Sequence, residues 1–175
     1  GDQGDKNGDP LSKYTGKNGN GTGDGGGEGT GKGDGSGKGI SFSLSGRKLI
    51  SQWISQSVDS EGFSVGNINI IFVTPPKLLK INQIYLNHNT HTDIITFDYT
   101  IGNIVSGDLY ISYDRVRENA KSFGVSFSDE LLRVIIHGVL HLLGYKDKSA
   151  VTRKEMRAKE DHYLSLYHQK FHVKH

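Results

Sequence analysis

The segment richest in chemistry is HGVLHLLGYKD, residues 137 to 147. His137 and His141 are one helical turn apart, so on a helix both imidazoles leave the same face, with Cβ atoms roughly 5 to 6 Å apart. Gly144 follows three residues later and suits the left-handed position that ends a helix and turns the chain back. Asp147 comes three residues after that, where a returning chain can bring a carboxylate to the imidazoles. The same offsets occur in the zinc-protease signature of two helical histidines, a turn glycine and a third ligand. Two imidazoles and one carboxylate predict a single Zn2+ ion on His137, His141 and Asp147, with a fourth position left for water or substrate.

A zinc protease also carries a glutamate directly after the first histidine, as general base. This chain has Gly138 there, which disfavours a metalloprotease. Zinc lowers the pKa of bound water and polarises phosphoryl oxygens, so phosphodiester cleavage does not need that glutamate. The sequence itself assigns no catalytic side chain.

These ligands require a long apolar helix. Leu131, Leu132, Ile135, Ile136, Leu140 and Leu143 supply its buried face, Ser128 is the expected cap, and Gly144 the stop. Upstream, Leu49, Ile50, Trp53 and Ile54 share one face of a first helix capped by Ser45. The β-branched run from Ile68 to Val73 reads as a strand, stopped by Pro75 and Pro76. Leu78 to Leu86 has helical spacing. Segments 94 to 99 and 108 to 112 read as two strands, antiparallel because their connection is short. Val116, Ala120 and Phe123 form a helix closed by Gly124, and a last helix starts after Ser149. The expected fold is α+β, a small mixed sheet with helices packed around it.

Residues 1–39 hold sixteen of the 24 glycines and no Val, Ile, Phe or Trp. Such a stretch cannot bury enough apolar surface to offset its ordering entropy, so it is expected to be disordered, as a native tail or an expression leader ahead of a 40–175 domain. The remainder carries 16 basic and 13 acidic residues, a mild surplus that permits a polyanionic partner without announcing one. With no cysteine, disulfides and thiolate metal sites are excluded. No apolar run reaches the roughly 18 residues of a membrane span, and no signal peptide is visible, so the expected setting is cytoplasmic, away from membranes.

HGVLHLLGYKD, together with TDIITFDY at 92 to 99 and SGDLYIS at 106 to 112, resembles the YbeY family of endoribonucleases, bacterial rRNA maturation factors, over nearly all of residues 40 to 165. The resemblance implies a zinc-dependent, single-strand-specific endoribonuclease of the cytoplasm. It would act in 16S rRNA maturation and ribosome quality control, with single-stranded rRNA and the ribosome or its proteins as partners and a fold similar to the zinc proteases. The usual family motif ends Gly-Tyr-Asp-His, with the last histidine as third ligand. Here Lys146 and Asp147 stand in those places, and Asp147 keeps a metal-binding type. The arginine common in the family before the first of the two strands has no counterpart in His88 to Thr92. A non-catalytic ribosome-binding module with a structural metal is the other reading.

Lys146, Lys148 and Arg153, with Lys154 and Arg157, could attract an RNA backbone, although Glu155, Glu160 and Asp161 suit an ordinary solvated helix as well. Tyr145 could stack on a base or simply pack at the helix end. His88 and His91 read as solvated loop histidines, and His168, His172 and His175 as surface residues near the terminus. Asp93, Thr96 and Asp108 could line the cleft, though Asp93 equally suits a turn.

Overall fold

A computed structural model describes residues 39–41, 47–86 and 92–171. The tail through residue 38, the Ser45 cap, His88, His91, His172 and His175 lie outside the described residues. The described elements run β1 (Gly39–Ser41), α1 (Arg47–Ser60), β2 (Ser64–Val73), α2 (Pro75–Leu86), β3 (Ile94–Asp98), β4 (Ile104–Ser112), α3 (Tyr113–Phe123), α4 (Phe127–Leu142) and α5 (Ala150–Leu166), which passes into a π-helical turn at Tyr167–Phe171. Gly39, grouped with the tail on composition, stands in β1 and pairs with Asn67.

The α+β expectation holds. The sheet is mixed and four-stranded, in the order β1-β2-β4-β3. β1 and β4 flank β2 in parallel, and β3 runs antiparallel to β4 as the short connection predicts. β2 begins four residues before the apolar run that betrays it, because Ser64 and Val65 pair with Ile104 and Val105 ahead of a bulge before Ile68. Pro75 and Pro76 end β2 by opening the next helix. Proline fits the first turn, where its missing N–H is not needed, and the Thr74 hydroxyl accepts from Lys77 N at 3.4 Å.

Strand alternation divides the core between the two faces of the sheet. Ile68, Ile70, Leu109 and Ile111 pack with Trp53, Ile54, Ile135, Ile136 and Leu140, so α1, α4 and α5 cover one face. Ile71, Val73, Ile95, Phe97 and Tyr110 pack with Leu78 and Ile81 of α2 on the other. Helix α4 is buried over most of its length because it lies between the sheet and α5, with Met156, Tyr163 and Leu164 closing over it. Its cap is Ser126, not Ser128. Ser126 has the extended backbone of an N-cap and accepts from Asp129 N at 3.0 Å, while Ser128 already sits inside the first turn.

Two glycines let α4 settle onto the sheet. A Cβ on Gly107 would lie 2.5 Å from the Phe97 carbonyl oxygen and 2.7 Å from Leu142 Cδ2. One on Gly138 would meet Ile94 Cδ1 at 2.8 Å and Leu109 Cδ2 at 3.0 Å. The obstruction at Gly107 is backbone of the paired strand, which cannot rotate aside. Gly107→Ala is therefore expected to destabilise the protein by about 1 to 3 kcal/mol through overpacking, measured as a lower urea midpoint with unchanged slope. An unchanged midpoint would show that this contact does not set the helix height.

Candidate metal centre

The last turn of α4 and the loop after it bring together all three predicted ligands. Helix α4 ends as a Schellman motif: Gly144 has φ 104, its N–H donates to the His141 carbonyl at 3.0 Å, and Tyr145 N–H donates to the Leu140 carbonyl at 3.0 Å. That reversal carries Asp147 back over the histidines. His137 Nε2 lies 3.0 Å from Asp147 Oδ2, His141 Nε2 lies 3.1 Å from the same oxygen, and the two Nε2 atoms are 3.1 Å apart. All three side chains are buried, and they form a group able to hold a metal ion.

The outer ring nitrogens fix which atoms face inward. His137 Nδ1 stands 2.6 Å from Glu160 Oε2, and His141 Nδ1 stands 3.0 Å from the Tyr145 carbonyl oxygen. A carboxylate and a carbonyl can only accept, so both Nδ1 atoms donate outward. In the neutral rings both Nε2 lone pairs then point at Asp147 Oδ2. Three electron-rich atoms with almost no water between them repel one another unless a cation stands among them. A tetrahedral zinc-type ion at about 2.0 to 2.2 Å from each ligand spaces them roughly 3.3 Å apart, close to the separations here, so the residues fit such an ion. Asp147 Oδ1 is buried with no hydrogen-bond partner, and it adds acceptor capacity to the same place.

The ionisation of the group follows from that crowding. Burial opposes charge on His137, but hydrogen bonds to Asp147 and Glu160 outweigh it and push the imidazole up to about 9. Burial and the neighbouring His137 charge hold His141 below its ordinary value despite Asp147. Burial would raise Asp147, but the two imidazoles bring it down to about 2. Glu160 is likewise lowered: burial is overcome by His137 and Arg133.

Glu160 is the residue that sequence reasoning missed, having been read as part of a solvated helix. It is 5% exposed, with Oε1 accepting from Arg133 Nη1 at 2.7 Å while Oε2 holds His137. Its signal was present in the spacing. Met156, Glu160, Tyr163 and Leu164 are the buried residues of α5, so the acid falls on the apolar stripe of that helix.

Other expectations separate cleanly. Asp93 and Arg153 line a cavity of about 280 Å³ that also touches His137 and Asp147, whereas Lys146, Lys148, Thr96 and Asp108 are not among its lining residues. Asp108 instead accepts from Asn69 Nδ2 at 3.0 Å and Tyr99 hydroxyl at 3.1 Å, on the face of the sheet that carries Tyr110. Lys146, Lys148 and Arg153 are exposed. Tyr145 packs at the helix end: its hydroxyl donates to Glu61 at 2.8 Å and Lys159 Nζ stands 5.5 Å from its ring centre. His168 is at the surface and meets Asp129 at 3.2 Å. The place of a protease's general base is taken by Gly138, whose Cβ direction runs into Ile94 and Leu109 of the sheet.

Fold and site together define an α+β protein with a buried two-histidine, one-carboxylate group suited to a metal ion. A family model described as Endoribonuclease YbeY matches residues 38–168. Endoribonuclease YbeY of Flavobacterium psychrophilum is 52% identical over 131 residues, covering 75% of this chain and 94% of the relative. That of Flavobacterium johnsoniae is 50% identical over 127 residues, covering 73% and 91%. The solution structure of TM1509 from Thermotoga maritima aligns with TM-score 0.54 at 31% identity, covering 72% of this chain and 86% of that one. The chain belongs to the YbeY endoribonuclease family.

Because Glu160 fixes the His137 tautomer and orientation, Glu160→Gln is expected to weaken metal binding by about 10- to 100-fold. Competition with a chromophoric chelator measures this directly, with the thermal midpoint of the metal-free protein as a folding control. Unchanged affinity would leave Glu160 a packing residue.

Proposed function

We propose that this protein is a zinc-dependent endoribonuclease that cuts single-stranded RNA, acting in the cytoplasm on 16S rRNA during ribosome maturation and quality control. The observation that carries the reading is the buried convergence of His137, His141 and Asp147 beside an open cavity, in a chain whose relatives bear the name Endoribonuclease YbeY. Zinc held by these three residues would supply a Lewis acid for a phosphoryl oxygen and a bound water acidic enough to ionise near neutral pH.

The chain's own residues divide the remaining work. Asp147 contributes the charge that holds the ion, and Glu160 and the Tyr145 carbonyl keep both imidazoles turned toward it. Arg153 and Arg157 line the adjoining cavity and would provide guanidinium groups for phosphate oxygens, which they recognise better than lysine can. The depth of the ligands favours a single strand, since a flexible chain can bring one phosphate into a recess that a duplex, with its bases paired, cannot enter. No helix among the described residues is long and apolar enough to cross a membrane.

The test is cleavage of an end-labelled single-stranded RNA and of the same sequence in duplex form. Wild-type protein loaded with zinc is expected to cut the single strand in preference, and His141→Ala to lower that rate by at least about 100-fold. Equal cleavage by the two proteins would remove the metal from the reaction. Failure of the wild type to cut, with zinc bound at one equivalent, would favour a ribosome-binding role with a structural ion.

A further inference from the structure

The cavity beside the metal ligands has an end that the ligand chemistry does not use. Glu130 lies in the first turn of α4, seven residues before His137, which is roughly 10 Å along a helix. It is 3% exposed, lines the cavity, and its Oε2 has no hydrogen-bond partner. A buried carboxylate oxygen left unbonded costs a few kcal/mol unless something donates to it. Asp93 lines the same cavity, with Asn119 Nδ2 donating to its Oδ2 at 3.2 Å. The rest of the lining includes the apolar side chains of Ile94, Val125, Val134 and Met156. Phe123 is at the rim, 57% exposed. Arginines, apolar walls and buried acceptors around one cavity fit a nucleotide: guanidinium groups for phosphate, apolar faces for the ring, acceptors for its hydrogen-bonding edge.

We propose that this cavity receives one nucleobase of the bound strand and that Glu130 selects guanine there, its carboxylate accepting from N1–H and the 2-amino group. Guanine alone among the four bases presents two adjacent donors on its Watson–Crick edge, the match for the two oxygens of a carboxylate. Adenine and cytosine each set one amino donor beside a ring acceptor, and uracil sets one N–H between two carbonyls, so each would face Glu130 with a lone pair. The span from His137 to Glu130 suits a nucleotide whose phosphate lies at the metal group. Burial raises the Glu130 carboxyl and the Asp93 charge adds to it, while Arg133 and Arg157 oppose the rise; two donors from a base would favour the ionised form further.

This inference rests on the ribonuclease reading, and the experiment separates the two. Equilibrium binding of GMP, IMP, AMP, CMP and UMP to the full zinc-loaded chain is measured by calorimetry. The shared phosphate and ribose cancel in the comparison. GMP is expected to bind at least about tenfold more tightly than AMP, CMP or UMP, the discrimination of one bidentate pair. IMP, lacking the 2-amino group, is expected to fall between. Glu130→Gln replaces one acceptor by a donor and should bring GMP to within about twofold of AMP, with zinc content and thermal midpoint recorded as folding controls. Equal wild-type affinities for GMP and AMP, no nucleotide binding at all, or a guanine preference that survives a folded Glu130→Gln each overturn the inference. RNA cleavage scored in parallel on strands with a single G, A or C in a uridine run tests the enzyme reading. Cleavage at every strand with equal nucleotide affinities sinks only guanine selection, whereas guanine-selective binding with no cleavage sinks only the nuclease.

Discussion

Two imidazole nitrogens and a carboxylate oxygen that converge from 3.0 to 3.1 Å in a buried place cannot remain together without positive charge, and much of the molecule is arranged around that requirement. Left to themselves the groups would draw in a proton, which is why His137 is pushed up to about 9 while Asp147 falls to about 2. One proton answers the repulsion only in part. With His137 charged, His141 is held below its ordinary value, since two charged rings cannot share the space. A divalent cation meets all three lone pairs at once. The outward hydrogen bonds to Glu160 and to the Tyr145 carbonyl turn the lone pairs inward, and Arg133 holds Glu160 in turn.

The backbone that achieves this is short and heavily constrained. The Tyr145 peptide is used twice, its N–H closing the helix on the Leu140 carbonyl and its carbonyl accepting from His141. Its side chain is fixed as well, because Glu61 takes hydrogen bonds from the Tyr145 and Tyr163 hydroxyls and from Lys159. The loop that presents Asp147 is thus tied to the end of α1 and the middle of α5. A ligand carried on a loop acquires the precision of one carried on a helix, the condition for a preorganised site. Gly107 and Gly138 complete the arrangement from beneath by bringing α4 close to β3 and β4.

What could be read from the sequence follows from which contacts are local. His137, His141, Gly144 and Asp147 lie within one turn of helix and the loop after it, so spacing alone carried the site; the antiparallel β3 and β4 and the Gly124 and Gly144 stops were legible for the same reason. Longer-range relations were not. The parallel pairing of β1 with β2, the bulged start of β2, and the reach of Glu160 from α5 to His137 depend on partners 23 or more positions away. Ser126 and Ser128 are both good caps by type, and only the backbone decides between them. Residue type alone could not place Asp108, whose acid is absorbed by Asn69 and Tyr99 on the opposite face of the sheet.

An aspartate as third ligand has a consequence for the rest of the cleft. An anionic ligand neutralises more of an ion's charge than a neutral imidazole does, and so leaves a weaker Lewis acid. Glu160 adds a second negative charge through His137, although Arg133 balances it at 2.7 Å. A phosphate bound as proposed would then draw positive charge from outside the ligand set, and Arg153 and Arg157 of α5 line the cavity wall. Neither is spent wholly on structure. Arg153 donates to the Lys148 carbonyl and Arg157 reaches Glu160 only at 3.4 Å, with its side chain 61% exposed. The helix that supplies the carboxylate behind His137 also supplies guanidinium groups to the adjoining cavity, so α5 sets charge of both signs beside the candidate metal group.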